Sequence, residues 1–310
     1  MTSYNFNLTL NDLVTTAYQQ CNIYQAGDAI SSEDYNLAVL LLNAMILDWE
    51  KDSIKLWKRR QGVLFTQNKQ NAYAMGATGD NTCNTFVQSA LTTLVSSGTS
   101  LTLVSTGMTI GDYIGIKLDN GNRQWTTIAT IPNSTSVTIS NAITSQASIN
   151  NSVVSYTTKI NRPLRILRGT VYDMTNGSEQ VIDFDTSYDA YLDQPQKNTA
   201  GRPNVGYYDK LLDNGVVYLF PTPNVVDQII KFTYQDSLLT MINSNDNFDF
   251  PQEWFMTLLY GLIVELLYSQ KMFIELQAYE PKAEKLKAKA ATWDGDEQSL
   301  KISTSKKTKK

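Results

Sequence analysis

Residues 254–267 read WFMTLLYGLIVELL, a run that is apolar on most faces of a helix. A helix of this kind must be buried. A second stretch with helical apolar spacing lies near the other end of the chain, between Leu10 and Trp49. Helices so distant in sequence can cover their apolar surfaces only against each other or against the structure between them. We therefore expect the two ends of the chain to build one helical core.

The N-terminal stretch predicts a helical hairpin. Thr9 and Asp12 have the spacing of a capping box, and apolar residues follow at intervals of three and four. Gly27 is the expected end of the first helix. Near the other end of the chain, Pro251 is expected to open the last long helix, and Pro281 to kink or restart it.

Between the helices the sequence has the pattern of strands and turns. Residues 85–159 are rich in Ser, Thr, Val and Ile in short runs and carry little charge, which predicts a small barrel-like or sandwich-like all-β domain inserted into the host fold. Asn-Gly pairs at 120–121, 176–177 and 214–215 predict three hairpins with type I′ turns. The expected fold class is α+β: a core of residues 1–84 and 160–293, an inserted β domain of residues 85–159, and an extended C-terminal tail of residues 294–310.

Composition narrows the classes of function. The chain has 310 residues, 42% of them hydrophobic, so it can bury a substantial core. Its net charge of -4 argues against a surface that attracts nucleic acid everywhere, and we expect neither a secretory signal nor a membrane span. Histidine, the commonest general base and zinc ligand, does not occur in the sequence. We therefore expect a protein that is not an enzyme and has no cofactor or metal site.

Several short stretches, taken in their order along the chain, resemble the head-to-tail adaptor proteins of short-tailed bacteriophages. These proteins are also called tail accessory or packaged-DNA-stabilisation proteins. The similarity covers most of the chain outside residues 86–159. The matching stretches are LLLNAMILDW at 40–49, IKLW at 54–57, RPLRI at 162–166, residues 185–191, GRP at 201–203, VVYLFPTP at 216–223 and FPQEW at 250–254.

This resemblance implies a structural protein of the virion neck that is assembled in the cytoplasm of the host bacterium. The implied partners are the portal protein, further copies of the chain in a dodecameric ring, and nozzle, tubular or fibre proteins of the tail. DNA would pass through the lumen of the ring without sequence-specific binding, and no membrane contact is implied. A C-terminal arm would reach the portal.

Two basic groups are the candidate binding residues. The first belongs to the last helix and the tail and is expected to contact the portal or a neighbouring subunit. Its members are Lys282, Lys285, Lys289, Trp293, Lys301, Lys306, Lys307, Lys309 and Lys310. The second surrounds Trp57 and could face the lumen or an interface, although a solvated hairpin end is the simpler interpretation. Its members are Lys51, Lys55, Lys58, Arg59 and Arg60.

A glycan-binding or peptidoglycan-degrading virion protein is the alternative function. Glycoside hydrolysis needs two carboxylates roughly 5 to 9.5 Å apart, and Asp183, Asp185 and Asp189, or Glu253 with Glu265, are the candidates. Aromatic residues of the insert could instead stack on sugars, or they could form its core. These residues are Tyr113, Trp125 and Tyr156. A soluble cellular β-rich binding module also fits the composition.

Overall fold

The structure, a computed structural model, describes residues 9–52, 58–237 and 250–293. Over these ranges the chain is a mixed α/β protein with five α-helices and several antiparallel sheets. It divides into two compact units, one of residues 1–58 and 238–310 and one of residues 59–237. We call them the helical unit and the sheet unit. The helices are α1 (Leu10–Gln20), α2 (Ser32–Asp52), α3 (Tyr188–Leu192), α4 (Phe255–Ser269) and α5 (Phe273–Trp293).

Helix α1 begins at the predicted capping box and ends earlier than predicted. The backbone N–H of Thr9 donates to Asp12 Oδ2 at 3.0 Å, and the N–H of Asp12 donates to Thr9 Oγ1 at 3.3 Å. Asn22 takes a left-handed conformation with φ of +55°. The N–H groups of Asn22 and Ile23 then donate to the carbonyls of Gln19 and Tyr18, which is the Schellman pattern of a helix end. Asn22, not Gly27, therefore ends the first helix.

The predicted last long helix is two helices, and the second begins at Phe273, so the expectation that the helix restarts at Pro281 is wrong. Lys271 takes a φ of +58°, and its N–H and that of Met272 donate to the carbonyls of Tyr268 and Leu267. This second Schellman pattern separates α4 from α5. Pro281 lies inside α5. The carbonyl that loses its helical donor there belongs to the exposed Gln277, so water can satisfy it.

One cluster of buried side chains runs through the helical unit. It includes Leu13 of α1, Leu42 of α2 and Leu262 of α4, all fully buried. Gly261 allows α2 to approach α4 closely, because a Cβ at this position would lie 2.5 Å from Met45 Sδ. A glycine inside an apolar helix is thus explained by packing.

The sheet unit contains three antiparallel sheets. A five-stranded sheet has the order β11-β10-β14-β1-β3, a three-stranded sheet has the order β12-β13-β2, and a six-stranded sheet has the order β4-β9-β6-β7-β8-β5. The strands are β1 (Arg59–Leu64), β2 (Ala72–Met75), β3 (Thr82–Cys83), β4 (Val87–Ala90), β5 (Ser100–Thr102), β6 (Tyr113–Lys117), β7 (Arg123–Asn133), β8 (Ser136–Ile139), β9 (Ser152–Tyr156), β10 (Arg165–Asp173), β11 (Glu179–Ile182), β12 (Val205–Asp209), β13 (Gly215–Phe220) and β14 (Gln228–Gln235).

The three predicted hairpins are confirmed, but their turns are not type I′. Strands β6 and β7, β10 and β11, and β12 and β13 pair as expected. A type I′ turn needs positive φ at both central residues. At the first two turns only the glycines, Gly121 and Gly177, have positive φ. Gly215 lies inside β13, where a Cβ would come within 2.1 Å of the Tyr208 hydroxyl, so close packing and not the turn requires glycine there.

The segment of the predicted insert contains strands β4 to β9 and has its own apolar cluster, with Leu101, Ile114 and Val153 fully buried. A second cluster joins it to the five-stranded sheet through Phe65, whose ring centroid lies 5.1 Å from that of Trp125. The boundaries at 84/85 and 159/160, and separate folding of this segment, stay predictions.

A buried ion cluster also joins the two sheets. Asp227, just before β14, accepts hydrogen bonds from Arg123 Nη2 at 2.9 Å and from Lys117 Nζ at 2.5 Å. The Arg123 side chain is completely buried. Burial alone would raise the pKa of Asp227, but the hydrogen bonds from Lys117 and Ser152 and the charges of Arg123 and Lys117 together hold it below its usual range.

Candidate functional site

A groove between α4 and α5 contains two of the predicted partner-binding residues. Its volume is about 1020 Å³. The buried Trp254 forms part of its floor, while Met256 and Trp293 are 45% and 79% exposed. Thr257 Oγ1 donates to the Leu286 carbonyl at 3.5 Å and links the two helices beside the groove. Lys289 and Glu253 add one charge of each sign to its lining, so the groove is apolar with a mixed polar rim.

The other predicted residues of α5 differ in their surroundings. Lys282 Nζ donates to Tyr260 Oη at 2.6 Å, so this lysine holds α5 against α4. Lys285 is exposed. The tail residues Lys301, Lys306, Lys307, Lys309 and Lys310 lie outside the described residues. Lys289 and Trp293 therefore line the same groove, whereas Lys282 makes a contact within the chain, to Tyr260.

The second predicted basic group does not form one patch over the part that is described. Lys55 lies outside the described residues, and Lys51 lies near the end of α2. Lys58 is buried. Arg59 and Arg60 are consecutive on β1 and so point to opposite faces of the sheet. Arg60 Nε lies 3.1 Å from Asp236 Oδ2.

Strand register instead gives Arg59 other basic neighbours. Gln235 of β14 lies between Arg59 on β1 and Arg165 on β10. Register shifts between Ile166 and Arg168, and this bulge puts Arg165 and Arg168 on one face although they are three residues apart. Sequence spacing alone suggested no such neighbours, because it shows neither the strand pairing nor the bulge.

Four tyrosines form a surface that sequence reasoning missed. We call Tyr188, Tyr191, Tyr207 and Tyr218 the tyrosine surface; Tyr188 is exposed, Tyr207 and Tyr218 are half-buried, and Tyr191 is buried. Tyr207 and Tyr218 are cross-strand neighbours on β12 and β13, with ring centroids 6.3 Å apart. Helix α3 places Tyr188 5.3 Å from Tyr207 and Tyr191 5.4 Å from Tyr218. Ser187 caps α3, since its Oγ accepts from the N–H of Ala190 at 3.2 Å, and this fixes the two helical tyrosines over the sheet.

Carboxylates surround the tyrosine surface. Asp185 precedes α3, Asp189 lies in it and Asp193 follows it, all three exposed, and the half-buried Asp209 ends β12. Burial raises the pKa of Tyr207, and the charges of Asp209 and Asp189 contribute to the same shift. These carboxylates therefore lie close enough to affect the phenol. No spacing along the sequence signals this cluster, because only the pairing of β12 with β13 and the position of α3 bring the four rings together.

Of the two sets of carboxylates that are candidates for glycoside hydrolysis, Glu253 and Glu265 do not form the required pair. Glu253 and Glu265 are twelve residues apart along a nearly continuous helical path, which separates them by about 18 Å. That exceeds the spacing of either hydrolytic geometry. Asp183, Asp185 and Asp189 are exposed, and Asp183 Oδ1 accepts the N–H of Asp185 at 2.9 Å.

The aromatic residues of the insert pack against one another. The Tyr156 ring lies 5.2 Å from Tyr113 and 5.7 Å from Trp125, and Tyr156 is 3% exposed. Together with Phe65 they form the junction between the insert and the five-stranded sheet. These rings serve as core, so Tyr156 offers no sugar platform.

In residues 9–52, 58–237 and 250–293, no three His, Cys, Asp or Glu side chains are grouped in a way that could hold a metal ion. No helix in these ranges is long and apolar enough to cross a bilayer.

Comparison with known proteins gives no relative: no family model matches the chain, and no curated protein matches it significantly in sequence.

Proposed function

We propose that this chain is a non-enzymatic structural subunit of a short-tailed bacteriophage: a head-to-tail adaptor that forms a ring below the portal, surrounds the DNA channel and connects the portal to tail components. In this proposal the helical hairpin and the C-terminal helices form the adaptor core, and the β-rich segment is an inserted domain. The order of the short sequence matches supports it.

The observation that carries the proposal is the groove between α4 and α5. An exposed tryptophan beside an apolar floor is the commonest composition of an interface hot spot. Trp293 also lies at the point where the lysine-rich tail leaves α5. A partner that fills the groove would bury Trp293 and Met256 and would meet the exposed Lys289 at its rim.

The test is electron microscopy of the full-length protein mixed with purified portal rings. The expected class averages show an additional ring on one side of the portal. Trp293→Ala combined with Met256→Ser should reduce ring formation strongly, because both changes remove large apolar side chains that line the groove. Ile274→Ser is the matched control, since Ile274 is 84% exposed at the other end of α5. Portals without an added ring, or equal loss with the control, would refute the proposal.

A further inference from the structure

The three-stranded sheet presents an aromatic and apolar face that is only half buried. Tyr207 and Tyr218 stand at its centre, and α3 covers one end. The apolar residues that share this face by strand alternation, Ala72, Ala74, Val205, Val216 and Phe220, are all partly exposed. Antiparallel sheets normally present polar side chains on the face turned toward water. A half-exposed apolar face is thus typical of a binding surface.

Acidic side chains predominate around this face, with Lys197 at its edge. Asp185, Asp189, Asp193 and Asp209 form no ion pair with any residue in the described ranges. Tyrosine rings attract cations through their electron-rich faces. A partner that supplies ammonium groups would therefore gain from both the rings and the carboxylates.

One lysine of the sheet unit already uses the surface in this way. Lys197 Nζ lies 5.7 Å from the centroid of the Tyr191 ring and donates to the Leu192 carbonyl at 2.6 Å. The tyrosine surface thus accepts a lysine at its edge. Lys197 does not lie over the rings of Tyr188 and Tyr207, so these two rings can bind other cations.

The chain itself contains a segment of matching charge. Residues 301–310 read KISTSKKTKK, with five lysines and no acidic side chain. Residues 294–300 separate this segment from the end of α5 and can span about 24 Å when extended. Its opposite charge and the absence of large aromatic groups fit a flat acidic surface better than a deep pocket.

We propose that residues 301–310 of one copy bind the tyrosine surface of a neighbouring copy, with lysines over the Tyr188 and Tyr207 rings and against Asp185, Asp189 and Asp209. The inference rests on the proposed ring, in which each subunit uses one surface to meet a different surface of the next. Binding of this kind is electrostatic and weakens with salt.

Zero-length carbodiimide cross-linking of the full-length protein tests the inference, because it joins a lysine to a carboxylate only when the two are in contact. Equal amounts of ¹⁴N- and ¹⁵N-labelled protein are mixed, cross-linked with and without portal rings, and digested for mass spectrometry. The expected products join lysines of residues 301–310 to Asp185, Asp189 or Asp209, and about half of them carry one label of each kind, as random pairing between copies requires. The yield of these cross-links should fall at 0.5 M salt, because the Debye length there is roughly half of its value at 0.1 M.

A matched pair of variants tests the role of the rings. Tyr188→Ser with Tyr207→Ser keeps every carboxylate and should lower the yield of these cross-links roughly five- to tenfold. Tyr268→Ser is the control, since Tyr268 is 46% exposed in the helical unit and Tyr188 is 47% exposed. It should leave the yield unchanged.

The outcomes separate this inference from the proposed function. Rings on the portal without cross-links to the tyrosine surface would overturn the inference alone. Cross-links that carry only a single kind of label, with no mixed products, would overturn the contact between copies. Mixed-label cross-links without rings on the portal would support the contact and refute the adaptor function. Equal cross-linking by the tyrosine variant and the control would overturn the role of the rings.

Discussion

Asp227→Asn tests whether the buried ion cluster holds the β-rich segment to the five-stranded sheet. Among the residues that the structure describes, Asp227 is the only carboxylate that pairs with Arg123, whose side chain has no exposure. Removing one partner of a buried pair costs about 3–5 kcal/mol, because the other charge stays buried without compensation. Arg123 Nε and Nη1 already lack hydrogen-bond partners, so few nearby acceptors could replace the lost carboxylate.

Urea unfolding followed by circular dichroism measures this effect. With a slope of about 2 kcal/mol per molar urea, the midpoint of Asp227→Asn should fall by about 2 M. Lys117→Met should cost only about 1 kcal/mol, since the Lys117 side chain is 32% exposed. Arg123→Met combined with Asp227→Asn removes both charges and should recover most of the loss. The reasoning would be refuted if the free energy of unfolding of Asp227→Asn lay within about 1 kcal/mol of the native value and the double variant showed no recovery.

Acid titration of the same variants adds an independent check. The pKa of Asp227 in the folded protein lies below its ordinary value, so its contribution to stability is complete above the unfolded pKa of about 3.9 and is lost as the pH falls through the folded value. The native protein should therefore lose more stability below about pH 4 than Asp227→Asn does. Parallel pH curves for the two proteins would contradict this assignment.

Three further predictions concern packing, reactivity and a helix end. Leu262→Ala should lower the free energy of unfolding by about 2–5 kcal/mol, whereas Leu47→Ala, at a 45% exposed position, should change it by less than about 1 kcal/mol; equal urea midpoints would contradict the buried cluster. Burial raises the pKa of the Cys21 and Cys83 thiols to about 12, so neither should react with a thiol reagent at pH 8 until urea is added, and rapid native labelling would show the burial to be wrong. Lys271→Gly should raise the melting temperature by a few degrees, because glycine takes a φ of +58° without strain; a lower melting temperature would count against this helix end.

Local sequence rules predicted the features that local chemistry determines. The capping box at Thr9 and the three hairpins follow from side chains within a few residues of each other. The helix ends at Asn22 and Lys271 were missed because residues other than glycine take the left-handed conformation there. That choice is stabilised by the packing of the following residues and not by any local preference of lysine.

The candidate surfaces were less accessible to prediction because they depend on strand pairing. Tyr191 and Tyr218 are 27 residues apart in sequence, and their rings meet because α3 lies over β13. The bulge that aligns Arg165 with Arg168 has no clear sequence signal. By contrast, Lys289 and Trp293 are four residues apart on one helix, a spacing that by itself places two residues near the same face.

The pairing of β1 with β14 has a mechanical consequence. The chain enters the sheet unit at Arg59 and leaves it after Gln235, and these two residues are opposite each other in an antiparallel pair. A force that pulls the two connections apart therefore loads the interstrand hydrogen bonds one after another, beginning at this end, and does not shear them together. The ion pair between Arg60 and Asp236 lies at the same end, so it is among the first contacts to resist the pull. Pulling Arg59 and Gln235 away from each other would thus separate this strand pair one hydrogen bond at a time before it disturbed the sheet beyond.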